Sequence, residues 1–158
     1  MTTPSLITFA DDIQRLTYDL VRYDAICDRV CVEELGVTVS QGYILLALPE
    51  TGSVTMNDLS ARMRLANSTM TRMADQLVQK RLITRGPDPD DRRIVRVQLT
   101  EQGQDVRARL KKALRNLFSE VLKEIPEGER ETIVHSLKTL NQSIAAALKS
   151  CCGEEVGE

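Results

Sequence analysis

The sequence predicts a mainly α-helical fold with one small β-hairpin. Three observations carry that expectation. The 158 residues include three Tyr, two Phe and no Trp, so a core must come from Leu, Ile, Val, Met and Ala, which favours helices over a β-sandwich. Apolar residues recur at steps of three and four along most of the chain, the period of an amphipathic helix. One stretch breaks this period: it alternates instead, around the turn formers Gly86-Pro87-Asp88-Pro89-Asp90-Asp91. The length suits one domain, and 42% apolar residues suffice for a core.

The elements follow in order. Leu6, Phe9, Ile13, Leu16, Leu20, Tyr23, Cys27 and Val30 form a heptad seam over more than three repeats, and Gly36 ends that first helix. Ser40 is the expected cap of a second helix over 41–48, closed by Pro49 and Gly52. Thr55 caps a third, with Asp58 as the capping-box acid and Met56, Leu59 and Met63 facing inward. A fourth begins near Asn67 or Ser68, with Met70, Met73, Ala74, Leu77 and Val78 as its inner stripe. Its other face carries Ser68, Thr71, Arg72, Asp75, Gln76 and Gln79, which no hydrophobic argument explains.

Leu82 to Arg85 and Arg93 to Leu99 read as a strand pair across the turn. Two helices with a tight join followed by a hairpin make a winged helix-turn-helix. Thr100 caps a fifth helix with Leu110, Leu114, Leu117 and Val121 as its seam, ended by Pro126. A sixth carries Ile133, Leu137, Leu140, Ile144 and Leu148. Seams on the first, fifth and sixth helices exceed what a small winged domain buries, so an intertwined homodimer is expected. The organisation is then a helical dimerisation region over 1–36 and 101–150, a winged domain over 37–100, and a flexible acidic tail over 151–158.

The net charge of −2 hides an asymmetry. Residues 53–100 carry +4 and the remainder −6, the pattern of a polyanion-binding module on a solvated scaffold. No apolar run approaches the ~18–20 residues of a membrane span, and no leader pattern is present. A cytoplasmic protein with reduced thiols and no membrane partner is expected.

Three stretches carry a family resemblance: Met56-Asn57-Asp58-Leu59-Ser60, Ser68-Thr69-Met70-Thr71-Arg72, and Asp91-Arg92-Arg93 through Val97 to Leu99-Thr100-Glu101-Gln102-Gly103. The chain resembles the multiple antibiotic resistance regulator (MarR) family of bacterial transcription factors. It departs at Arg81, where the family often has Gly; a left-handed residue there costs about 1 kcal/mol. The resemblance implies duplex DNA as partner, and the residues agree. Ser68 and Thr69 suit phosphate contact at a helix N-terminus. Arg72 suits guanine and Gln76 adenine, with Thr71 beside them. Arg92 and Arg93, at the end of the hairpin turn, suit a narrow minor groove. The resemblance favours Arg93 for the groove and makes Asp91 the residue that orients an Arg of the wing.

The resemblance further implies a repressor, released when an effector reaches the junction of dimer helices and winged domain. Two effector readings stay open. Cys27 and Cys31 lie one helical turn apart, and Cys151 and Cys152 follow the last helix; together they suit a thiol switch or a soft metal such as zinc, copper(I) or arsenite. Tyr18, Arg22, Tyr23 and Tyr43 suit an aromatic or acidic small ligand. No cofactor is required by either reading. Nothing supports an enzyme: His135 is the lone His, and neither a Gly-rich phosphate loop nor a nucleophile–base motif is present. The rival reading is a winged helix used for protein contact without specific DNA binding.

Overall fold

The computed structural model describes residues 5–152. The acidic tail beyond 152 and the Cys152 side chain lie outside the described residues. In order, the elements are α1 (Leu6–Glu33), α2 (Val39–Ala47), β1 (Val54–Thr55), α3 (Met56–Met63), α4 (Asn67–Gln79), β2 (Ile83–Pro87), β3 (Val95–Leu99), α5 (Glu101–Lys123) and α6 (Glu127–Cys152). The chain divides into two compact units with the boundary inside α5, after Leu114.

The first unit holds the core. Ile44 and Leu45 of α2 and its C-cap Leu48, Leu59 of α3, Met70, Ala74 and Leu77 of α4, and Ile83 and Val97 of the sheet are essentially inaccessible. The core is aliphatic, as the aromatic scarcity requires. The antiparallel sheet has the order β1-β3-β2, with Arg85 opposite Val97 and Val54 on Val97's other side. Two-residue β1 gave no periodic signal, and the sequence reading missed it.

Local chemistry explains the boundaries. Thr38, not Ser40, caps α2: its hydroxyl accepts from the Gln41 N–H, and the Gln41 side chain accepts from the Thr38 N–H, a complete capping box. Thr55 caps α3 by accepting from the Asp58 N–H at 3.0 Å. For α4 the cap position falls on Ala66, with no side-chain bond. Asn67 is inside the helix, and its side-chain oxygen instead accepts from the Ser60 hydroxyl, tying α3 to α4. Val78, expected inside, is 37% exposed, and Met56, Met63 and Met73 are half-buried.

The end of α4 places the wing. Arg81 is left-handed (φ 60°). Its N–H donates to the Val78 carbonyl, and the Leu82 N–H to Leu77, which is a Schellman ending with Arg where Gly is usual. The Thr100 hydroxyl donates to the Arg81 carbonyl and accepts from the Gly103 N–H, so one side chain joins this turn to the cap of α5. Gly103 is required by proximity: a Cβ there would stand 1.8 Å from the Leu82 carbonyl oxygen.

The second unit comprises the end of α5 and all of α6. Ile133, Leu137 and Ile144 are each at least 36% exposed. Helix α6 reaches Cys152, so both C-terminal cysteines lie within it rather than after it. Among the described residues, no helix is long and apolar enough to cross a membrane.

Candidate nucleic-acid interface

Burial of Met70, Ala74 and Leu77 forces the opposite face of α4 outward. Ser68, Arg72, Asp75, Gln76 and Gln79 are exposed there, and Thr69 and Thr71 are half-buried. Because no side chain caps α4, its first-turn N–H groups remain open to an incoming oxygen. Ser68 and Thr69 lie in this first turn.

The wing is held by residues the sequence reading did not single out. Asp88 is 8% exposed. Its Oδ1 accepts from the backbone N–H groups of Asp90 (2.9 Å) and Asp91 (3.3 Å), and its Oδ2 pairs with Arg96 at 2.7 Å. The Asp90 N–H and the Arg96 guanidinium hold this carboxyl below its usual pKa. Arg96 also donates to the hydroxyl (2.7 Å) and carbonyl (3.2 Å) of Ser53, which clamps the hairpin to the segment before α3. Asp91 Oδ1 accepts from the Arg93 main-chain N–H at 2.9 Å, and among the described residues it makes no bond to an Arg side chain.

The structure brings Thr71 and Arg93 around one cleft of about 180 Å³, with Asn57 of α3, Arg85 of β2 and Ile94. Arg85 pairs there with Asp75. Asp75 thus sets its charge against a neighbouring cation. Lys80 is also occupied, donating to the Gly36 carbonyl at 2.6 Å and to Gln41 at 3.0 Å. Among the described residues, the guanidinium groups of Arg72, Arg92 and Arg93 make no intramolecular hydrogen bond or ion pair. The free cations thus include one on the face of α4 and two at the tip of the wing, beside Arg64 and Arg81, which are likewise without a hydrogen bond or ion pair among the described residues.

The effector candidates are only partly gathered. The Arg22 guanidinium lies 5.9 Å from the Tyr18 ring centre and pairs with Asp19 at 3.7 Å. Tyr23 is exposed on α1. Tyr43 donates instead to Asp28, a buried partner missed in the sequence, and this bond with burial pushes its hydroxyl pKa up. Among the described residues, no hydrogen bond or ring contact joins the Tyr18–Arg22 pair to Tyr43. Cys27 is half-buried and Cys31 buried, and Cys151 is exposed in the other unit. Burial, then Asp28 and Cys27, raises the Cys31 thiol pKa, which lowers its thiolate fraction. Among the described residues, no three His, Cys, Asp or Glu side chains are placed to hold a metal.

Residues 37–95, which span α2 to the wing, match the MarR family model. The match covers the winged domain, less than half of the chain. The HTH-type transcriptional repressor MdtR of Bacillus subtilis is 39% identical over 72 residues, 46% of each chain. The crystal structure of YusO from B. subtilis is 28% identical, with a TM-score of 0.69 over 88% of this chain and 99% of that one. A mutant MarR of E. coli, crystallised with operator DNA, shares the fold at 24% identity, with a TM-score of 0.71 over 87% of this chain and 99% of that one. The chain spans about half the length of the first curated relatives it matches. In this chain the wing and its clamp, α4 and the Arg81 turn form one framework with the exposed face of α4 outermost.

Proposed function

We propose that the chain is a transcriptional repressor that binds a pseudo-palindromic duplex site as a homodimer and is released by an effector. One observation carries this reading. The cations of the basic centre that keep their charge free include Arg72 on α4 and Arg92 and Arg93 on the wing, whereas Arg85, Arg96 and Lys80 are committed within the fold. A duplex needs a free cation on the helix that enters the major groove and another on the hairpin beside the minor groove. The MdtR relative is named as a transcriptional repressor, which agrees with this reading.

The homodimer rests on apolar surface. On α1, Leu6 is 86%, Leu16 58% and Leu20 54% exposed, and Ile133, Leu137 and Ile144 of α6 are exposed as well. Such faces call for a second copy, which would set two reading helices ~34 Å apart, one turn of duplex. The effector step is assigned to the corner of α1 and α2, where Asp28, Tyr43, Cys27 and Cys31 lie and where Lys80, the C-cap of α4, reaches the Gly36 carbonyl.

The test is selection of bound sequences from a random duplex pool, followed by affinity against salt. A repressor of this kind selects a two-fold site and weakens steeply as salt rises. A flat, weak, sequence-independent profile supports the protein-contact module instead. Titration of the complex with diamide, arsenite, copper(I) and salicylate, in wild type and Cys→Ser variants, separates a thiol or soft-metal trigger from an aromatic acid.

A further inference from the structure

Gln41 is a buried polar residue of α2, 4% exposed, and its hydrogen bonds leave it one orientation. Its Oε1 accepts from the Thr38 backbone N–H at 3.2 Å and from Lys80 Nζ at 3.0 Å. Both partners are donors only, so the oxygen must face them and the amino group must face away. On that side Nε2 donates to Gln76 Oε1 at 3.0 Å. An amide NH₂ group does not accept, so Gln76 must turn its carbonyl oxygen toward Gln41. The constraint starts at a backbone N–H and an ammonium, neither of which can be reversed. It ends on an exposed side chain of the α4 reading face. Among the described residues, the Gln76 amino group has no partner.

We infer that Gln41 is a specificity-positioning residue: it locks the amide of Gln76 so that this side chain offers a donor to the base edge. The inference rests on the proposed entry of α4 into the major groove. A freely rotating Gln offers either end, and its usual adenine contact uses both, the oxygen accepting from N6 and the amino group donating to N7. Here the oxygen already receives a hydrogen from Gln41. The free amino group matches the O6 and N7 acceptors of guanine and is mismatched to the N4 donor of cytosine. The lock therefore moves the favoured base from adenine, the partner expected from the residue type alone, to guanine.

The test compares selected duplex sequences for wild type, Gln76→Ala, Gln41→Glu and Gln41→Leu, each as the full chain. Gln41→Glu is the decisive variant because it keeps the fold: Glu is favoured at the third position of a Thr-capped helix, and its carboxylate still accepts from Thr38 and Lys80. A carboxylate offers no hydrogen to Gln76, so Gln76 must turn its amino group inward and its oxygen outward. Gln76→Ala should flatten one base position in each half-site, where wild type selects guanine. At that position Gln41→Glu should move the selection toward the base donors of adenine or cytosine, by on the order of tenfold in the ratio to guanine. Gln41→Leu should broaden it, and the salt slope should be unchanged in every variant. A guanine preference unaltered in Gln41→Glu overturns the inference, as does a uniform weakening at all positions with a lowered melting temperature. A wild type that selects no sequence overturns the proposed function itself, a different and recognisable result.

Discussion

Gly103→Ala is expected to be the most damaging small substitution in the chain. The added methyl carbon would lie 1.8 Å from the Leu82 carbonyl oxygen and 2.9 Å from its carbonyl carbon. Both are backbone atoms, so no side-chain rotation relieves the clash. Helix α5 must retreat by more than an ångström from contact at van der Waals distance. That retreat opens the 3.1 Å bond from the Thr100 N–H to the same Leu82 carbonyl, and it disturbs the Thr100 cap, whose hydroxyl holds both Gly103 and Arg81. Overpacking costs about 1–3 kcal/mol, the backbone bond ~1 and the cap ~1, together about 3–5 kcal/mol. For a chain of this length that corresponds to a fall in Tm on the order of 10 °C. Thermal unfolding followed by circular dichroism measures it. Gly128→Ala is the control: nothing lies within 4 Å of a Cβ there, and Ala in a helix should stabilise by about 0.5–1 kcal/mol. A Gly103→Ala variant melting within a degree of wild type would refute the close-approach argument.

Four further outcomes follow. Arg81→Gly should raise stability by about 1 kcal/mol, since the left-handed φ of 60° costs Arg and not Gly; an equally large loss in the same melt would contradict the Schellman ending. Arg72→Ala should lose about 10–100-fold in affinity for the selected site and relax base choice at one position, whereas Arg93→Ala should weaken all duplexes alike. In acid, Asp88 and Glu50 set the sign: hydrogen bonds from the Asp90 N–H and Arg96, and from Lys111 and Arg107, hold these carboxyls below their usual pKa values. Their stabilisation is complete above the ordinary carboxylate range, about pH 4, and is lost as pH falls below it; Asp24, raised by burial, works in the opposite sense. Denaturant midpoints from pH 7 to 3 should fall less steeply in Asp88→Asn, and parallel curves would count against the clamp. Leu16→Glu should convert the proposed dimer to monomer in sedimentation, and an unchanged sedimentation coefficient would count against an interface on α1.

Much of this was legible because it is local. The three-four spacing from Leu6 to Val30 gave α1, Thr55 and Thr100 gave their caps, and the Pro-Asp-rich run gave the wing. Arg81 was visible as a left-handed residue because the family resemblance places Gly there. The α2 cap was misread although its signal was present: Thr38 has Gln41 three residues on, the capping-box partner, whereas Ser40 has Tyr43, which cannot return a bond. Other features depend on distance in the chain. Asp75 is paired by Arg85, which lies in β2 and not on its own helix. Arg96 has no local signal of its clamp, since its partner Ser53 is 43 positions away. Asn67 looked like a cap because nothing nearby in sequence showed that Ser60 would engage its side chain. Residues that touch the outside world are legible by type and position, whereas those that position them appear only once the fold joins distant segments.

The central claim, duplex recognition through the free cations of α4 and the wing, is tested most directly by affinity against salt for a selected duplex, in wild type and Arg93→Ala. The account expects log K to fall linearly with log salt for wild type, and the slope to shrink by about one unit in the variant as one phosphate contact is lost. Identical slopes in the two proteins, or wild-type affinity indifferent to salt, would contradict it.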